Sequence, residues 1–381
     1  MLKYYYQKLI ISILKGMKDE YNILSPSEFS FSKNQKALWF DNKEYFNKFK
    51  IPGLNNKTPP ISPNLVSEII KDKIPILSLI SAMEMNYKLF INKNILVINN
   101  QDLGIFSLIS AKLGAKKVYC IEPHNSFYVY QKQIVKDNKY ENIIEVINSS
   151  IYDINSNDFD VEMDIIICNW SGDFLIHNSL VKEVIYARDN FMKKNGFIFP
   201  DYAVLYFSGI ENVNYKLNTI NAWDNIYGIN MSCLKQESIC DPINHFVNKE
   251  KIISTKCPIF EIDMYTIDEN KLNFSNEYLF VIDKDDDLSG FITWFDVKFK
   301  RTPNTIKYTT SPFGTKTKWN QVSFYIDKDI RVDKEDIVFG SISCRVNEDL
   351  EDLDGLDIKI SYNVQRNKEK IIHGILLYKL K

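Results

Sequence analysis

The hydrophobic and polar positions of this 381-residue chain change period twice, and each change marks a boundary. Residues 1 to about 40 have the pattern of an extension, helical early and irregular around Ser25-Pro26-Ser27. Glu44 to Phe49 (EYFNKF) is aromatic and predicts a helix, which the stretch Thr58-Pro59-Pro60-Ile61-Ser62-Pro63 breaks. From Ser67 to Leu89 apolar residues recur at mixed helical spacing with Pro75 interrupting, which predicts two short helices. Strands and helices then alternate. Ile95–Ile98, Lys117–Glu122, Ile143–Ile147 and Asp164–Cys168 are short buried-strand runs; Ile105, Leu108, Ile109 and Leu113 share a helical face that ends at Gly114. An amphipathic segment follows the fourth strand and ends near Lys194. Short apolar strands separated by helices predict parallel pairing, hence a doubly wound α/β domain over 41–199 that takes ligands at the carboxyl ends of its strands.

After Phe199-Pro200-Asp201 the period becomes two. Phe295, Val297 and Phe299 alternate with Asp296, Lys298 and Lys300, and Leu356, Ile358, Ile360 and Tyr362 alternate with Asp357, Lys359, Ser361 and Asn363. Such alternation predicts antiparallel strands with one wet face, so 200–381 reads as a β-sandwich or β-barrel. Tyr215 to Cys240, aromatic and polar, belongs clearly to neither core.

Composition narrows the function classes. Forty-seven basic against 49 acidic residues leave a net charge of -2, which does not describe a nucleic-acid binder. The apolar run Leu9–Leu14 is short for a signal-peptide core and far too short for a membrane span; it reads as a helix packed on the body or on a partner. The cysteines at 120, 168, 233, 240, 257 and 344 and the histidines at 124, 177, 245 and 373 form no metal-ligand spacing, and the expectation is a reduced compartment, cytoplasmic or nuclear, with no metal.

Four stretches resemble one family. ILVINNQDLGIFSLISAKLGAKKVYCIEP is similar to the first cofactor motif of protein arginine methyltransferases, and CNWSGDFLIHNSLVKEVIYARDNFMKKNGFIFPD to their double-glutamate loop and the helix after it. NAWDNIYGINMSC resembles their dimerisation arm and SPFGTKTKWNQVSFY their Thr-His-Trp loop. The order is unbroken from about Glu44 to the C-terminus. The resemblance implies a Rossmann-like S-adenosylmethionine methyltransferase domain, then a β-barrel with a helical arm at 215–243. In that family a methyl group moves from S-adenosylmethionine to a guanidinium nitrogen held by two carboxylates.

The chain departs from the family where that chemistry needs charge or glycine. The matching carboxylate positions are Asn169 and Asn178; without the resemblance they read as a strand-end residue and a helix N-cap. Asp173, Glu162 and Glu183 are candidate replacements, Asp173 foremost because it is in the same loop. The glycine-rich turn reads Asn100-Gln101-Asp102-Leu103-Gly104, keeping only Gly104 and placing Asp102 where a methionine carboxylate is expected. The family's arginine for that carboxylate falls near Pro75 or Ile76. Glu122 holds the ribose-binding place, or is a solvated strand-end carboxylate. At the adenine position Ile151 stays apolar and Tyr152 replaces a glutamate; in the substrate loops Trp170, Gly172 and Trp319 remain, Trp319 as site or core, and Lys318 replaces the histidine.

In the arm, Trp223, Ile226, Tyr227 and Met231 are interface anchors or pack on their own barrel. The expectation is a catalytically impaired homologue that binds S-adenosylmethionine weakly or not at all. It would form a homodimer, or a heterodimer with an active paralogue, and contact neither nucleic acid nor membrane. Two alternatives are an active divergent enzyme acting on arginine-containing proteins and a module that binds arginine-rich peptides.

Overall fold

The structure is a computed structural model that describes residues 72–99, 102–155, 158–159, 161–346, 355–366 and 370–380. The predicted extension at 1–40, the EYFNKF helix and the proline-rich stretch lie outside the described residues. The first described helix, α1 (Lys73–Met85), is continuous through Pro75. Ser67 to Lys71 lie outside the described residues; among the described ones Pro75 does not interrupt the helix, because it stands in the first turn, where its missing N–H has no intrahelical partner to lose. Asn86 closes the helix by donating from Nδ2 to Ala82 O at 2.8 Å.

Alternation of strand and helix continues as β1 (Asn94–Ile98), α2 (Ile105–Lys112), β2 (Lys117–Ile121), α3 (Asn125–Asp137) and β3 (Ile144–Ile147). It ends with β4 (Met163–Ile167), α4 (Val181–Phe191) and β5 (Met192–Phe199). The helix expected to run to about Lys194 stops at Phe191, where the chain enters β5 directly. The five strands pair in the order β3-β2-β1-β4-β5, every pair parallel. Alternate residues of β1 face different cores, Ile95 and Val97 one and Leu96 and Ile98 the other. Burial on both faces explains why the inner strand β1 reads as an unbroken apolar run from Ile95 to Ile98 and β4 as one from Ile165 to Ile167.

The remainder is antiparallel. One sheet carries β6 (Tyr202–Ile210), β7 (Ile243–His245), β8 (Cys257–Asp263), β10 (Asp286–Lys298), β11 (Lys307–Thr309) and β12 (Gln321–Val332). The other carries β9 (Phe274–Val281), β13 (Ile337–Val346), β14 (Leu356–Arg366) and β15 (Lys370–Leu380). Phe207, Phe280, Phe291, Phe324 and Tyr378 fill the space they share, and Tyr378 donates its hydroxyl to Tyr325 O at 2.9 Å. β14 alternates as expected from Leu356 to Ile360, and so does the chain from Phe295 to Lys300; ahead of that, from Leu288 to Phe295, β10 is buried on both faces, because β6 and β12 flank it and side chains cover both sides.

Between β6 and β7 the chain forms the arm: α5 (Val213–Asn218), two 3₁₀ turns and α6 (Lys235–Cys240). Its base is a small core of Ile210, Ile220, Ile239, Val247, Ile292, Trp294 and Tyr325. Lys216 is buried there and bonds Asp327 O and Asp329 Oδ1, both at 2.8 Å, which fixes α5 on β12. Tyr215 lies between His245, with ring centroids 4.5 Å apart, and Tyr325, stacked at 5.6 Å. At the tip Ile226 and Ile229 exchange two 2.9 Å backbone bonds across Tyr227 and Gly228, both at positive φ, a tight turn of the hairpin kind. Tyr227 is therefore 100% exposed, while Trp223, Ile226 and Met231 are half-buried.

Burial pushes the His245 imidazole down to about 4 from 6.5. Between those values the unfolded chain binds a proton that the folded chain does not, so stability rises with pH across that window. Urea melts at pH 5 and pH 7.5 are expected to show a loss at the lower pH that is smaller in His245→Gln; equal losses in both proteins would place the acid sensitivity elsewhere.

Candidate functional site

The sheet order reverses direction between β1 and β4, since β2 and β3 are added on one side of β1 and β4 and β5 on the other. The carboxyl ends of those two strands therefore flank the crevice where such sheets bind ligands. Two loops meet it: the one after β1, leading to α2, and 168–180 after β4.

The first loop starts at Asn99, whose amide donates to Ile121 O at 3.1 Å and so continues the β1–β2 ladder by one residue. That step sets Asn99 beside Glu122, and Asn99 Nδ2 donates to Glu122 Oε2. Gln131 Nε2 of α3 donates to the same oxygen at 2.9 Å, and the His124 amide to Oε1 at 2.8 Å. Cys120 Sγ holds Gln131 Oε1 at 3.2 Å. Glu122 is only 1% exposed, so the reading of a solvated strand-end carboxylate fails. Burial pushes its carboxyl above the usual range, opposed by the Asn99, His124 and Gln131 donors.

Asn100 and Gln101 lie outside the described residues. Asp102 is buried, but its Oδ1 accepts the Gly104 amide at 2.8 Å and thereby shapes the entry to α2 rather than facing outward as a bare charge. Leu103 (φ 56) and Gly104 (φ 79) are both left-handed, a conformation that glycine adopts without penalty. Pro75 and Ile76 lie in α1 and offer no charge. Ile151 is buried in a 3₁₀ turn; Tyr152 is half exposed, edge-on to Tyr186 at 5.0 Å. Burial, with Glu183 and Glu269 nearby, raises the Tyr152 phenol.

The second loop folds on itself. Gly172 and Leu175 exchange backbone bonds of 3.0 and 3.1 Å, His177 N donates to Asp173 O at 2.9 Å, and Leu180 N to Trp170 O at 2.9 Å. A Cβ at Gly172 would stand 1.9 Å from His177 O, so only glycine fits. Phe174, Leu175 and Asn178 all take positive φ (50, 71 and 50), which costs about 1–2 kcal/mol for an ordinary residue. Packing imposes it: Trp170, Phe174, Leu175 and Ile176 are buried in the main core, and Trp170 Nε1 donates to Pro200 O at 3.0 Å.

Asn169 is half-buried at the strand end; Asn178 is exposed, its Nδ2 3.5 Å from His177 Nδ1. Asn178 is not the N-cap of α4, because its left-handed backbone turns the chain two residues early and Leu180 takes the cap position. Its residue type suits that turn instead. Asp173 is the one candidate replacement carboxylate within the loop; Glu162 is exposed ahead of β4, and Glu183 is half-buried in the first turn of α4. Burial raises the Asp173 carboxyl, opposed by His177, by Asn244 and by Lys318; Asn244 Nδ2 donates to its Oδ1 at 2.7 Å.

A third loop, 310–320, approaches from the barrel. Lys318 is exposed with Nζ 4.0 Å above the Trp319 ring, and its amide donates to Asp72 Oδ1 at 3.2 Å. Trp319 is half-buried against the main core. Sequence reasoning missed Asn99, Gln131, Asp72 and Asn244. Only Gln131 left a signal: it is a polar residue on the buried stripe Phe127-Gln131-Val135 of α3.

Residues 201–368 match the model of the arginine methyltransferase oligomerization subdomain. The chain is 34% identical over 305 residues to protein arginine N-methyltransferase 1 of Chlamydomonas reinhardtii, covering 80% of this chain and 86% of that protein. It belongs to the protein arginine N-methyltransferase family. The protein of the same name from Schizosaccharomyces pombe is 31% identical over 315 residues, 82% of this chain and 91% of that one. Among solved structures, the Trypanosoma brucei PRMT1 enzyme–prozyme heterotetrameric complex with AdoHcy superposes with a TM-score of 0.79 at 28% identity, over 84% of this chain and 99% of that chain. The parallel sheet followed by antiparallel sheets is the protein arginine methyltransferase fold, and the arm of this family member falls inside its oligomerization subdomain.

Proposed function

We propose that this protein arginine methyltransferase homologue does not carry out methyl transfer and acts as a non-catalytic subunit, paired through its arm with an active relative. One observation carries the reading: the substrate loop keeps its folded, core-anchored form while Asn169 and Asn178 stand where the family resemblance places the carboxylates. A guanidinium offers five donors and no acceptor, so it calls for acceptor-only partners. Each asparagine directs an NH2 donor as well as an oxygen and carries no charge.

The cofactor seat agrees. S-adenosylmethionine donates the family's methyl group, and the trypanosomal complex named above contains AdoHcy. A carboxylate has about four acceptor positions; in Glu122 three are taken by Asn99, Gln131 and His124. With Asp102 buried and turned to Gly104 and no arginine at 75 or 76, these residues do not fit the cofactor. We therefore infer weak binding or none.

A second reading, an active enzyme using Asp173, draws on that residue's burial within the loop. Its oxygen, however, already holds Asn244, and Lys318 and His177 compete with a guanidinium for its charge. The non-catalytic reading is preferred.

Native mass spectrometry of the tagged protein isolated from its own cells is expected to show a heteromer with an active methyltransferase relative, and Tyr227→Asp to weaken that assembly by about tenfold or more. A monomer, or a homodimer with normal turnover on arginine peptides, would overturn the proposal.

A further inference from the structure

We infer that Asn99 is the residue that closes the cofactor seat: its carboxamide, bound to Glu122, occupies the hydrogen-bonding position that a ribose hydroxyl would use. This rests on the reading above, which places the ribose at Glu122. The juxtaposition follows from register. Ile98 pairs with Ile121 in parallel, and the Asn99 amide extends that ladder, so Asn99 and Glu122 are the first residues beyond two neighbouring strand ends. Matched residues on adjacent strands point to the same face, so any side chain at 99 longer than a methyl lies along the Glu122 carboxylate. Asn99 is itself 6% exposed.

Gln131 completes the enclosure from α3. It bonds Glu122 and also backs the turn, since a Cβ on Gly104 would meet its Cγ at 3.6 Å. The two residues differ in what else they hold. Gln131 is tied to Cys120, whereas Asn99 Oδ1 has no hydrogen-bond partner among the described residues. Removing the Asn99 side chain thus takes away one bond to Glu122 and leaves the Gln131 and His124 donors to hold the carboxylate. Asn99 is the one part of the enclosure that can be removed without unhooking the fold.

The test is calorimetry of the full chain with S-adenosylhomocysteine, on the unmodified protein and on Asn99→Gly, Asn99→Ala and Asn99→Gln. Gly and Ala are expected to bind at least about tenfold more tightly than the unmodified chain, and Gln no more tightly. A folded Asn99→Ala with no gain overturns the inference. So does an unmodified chain that already binds with a dissociation constant below about 10 µM, a measurement that needs no variant to fold. Tight binding by the unmodified chain without methylation would sink this inference and the weak-binding reading of the seat but leave the non-catalytic role standing; methylation by it would sink the proposed function.

Discussion

Assayed alone with S-adenosylmethionine and an arginine-rich peptide, the purified chain is expected to turn over about 10²- to 10⁴-fold more slowly than a family member bearing both carboxylates. A hydrogen bond to a charged group contributes about 1.5–3 kcal/mol. Loss of two, at Asn169 and Asn178, removes roughly 3–6 kcal/mol if both act in the transition state. On the proposed reading the figure is a floor, because a seat closed around Glu122 would add its own obstacle. For the same reason Asn169→Glu with Asn178→Glu is not expected to restore turnover: two glutamates recreate the clamp but leave Asn99 on Glu122 and Asp102 in the loop. Single-turnover methylation of radiolabelled peptide by that double variant reads the result directly. Robust recovery would mean that the cofactor seat is competent as it stands.

The second large effect is on stability. Trp170→Ala is expected to destabilise the protein by about 3–5 kcal/mol, read as a lowered urea midpoint at unchanged slope. Trp170 is fully buried, and it does two things at once. Its ring joins the core shared with the barrel, and its Nε1 donates to Pro200 O, at the point where β5 gives way to β6. Truncation leaves a cavity and a carbonyl without its donor. Trp170→Phe, which keeps most of the volume but not the N–H, is expected to lose about 1–3 kcal/mol. Equal losses in the two variants would show that the hydrogen bond rather than packing anchors the loop.

Much of this could be read along the chain, because the signals are local. Short apolar runs gave β1, β2 and β4, and period-two alternation gave β14 and the end of β10, since burial of one face or both leaves its trace in the residues themselves. Gly172 and Trp170 were legible as loop residues, and Gly104 as the surviving glycine of the turn. Where local rules misled, a contact from elsewhere decided. Asparagine before a helix suggests a cap, but packing of Phe174 and Leu175 in the core turns the backbone at Asn178 before the helix starts. A proline within an apolar segment suggests a break, but the place of Pro75 in the first turn leaves the described helix continuous.

By itself the sequence determined the class of each half and the order of the four stretches that resemble the family, with asparagine at 169 and 178, because residue identity and period are properties of the chain alone. Only the tertiary structure decided what Glu122 and Asp102 do. Their roles depend on which donors reach them, and those come from Asn99 across a strand pair, Gln131 on a helix, and the turn at Gly104. A carboxylate's identity can be read from its letter; whether its lone pairs remain available to a ligand is fixed by neighbours that folding brings, and at Glu122 folding has brought three.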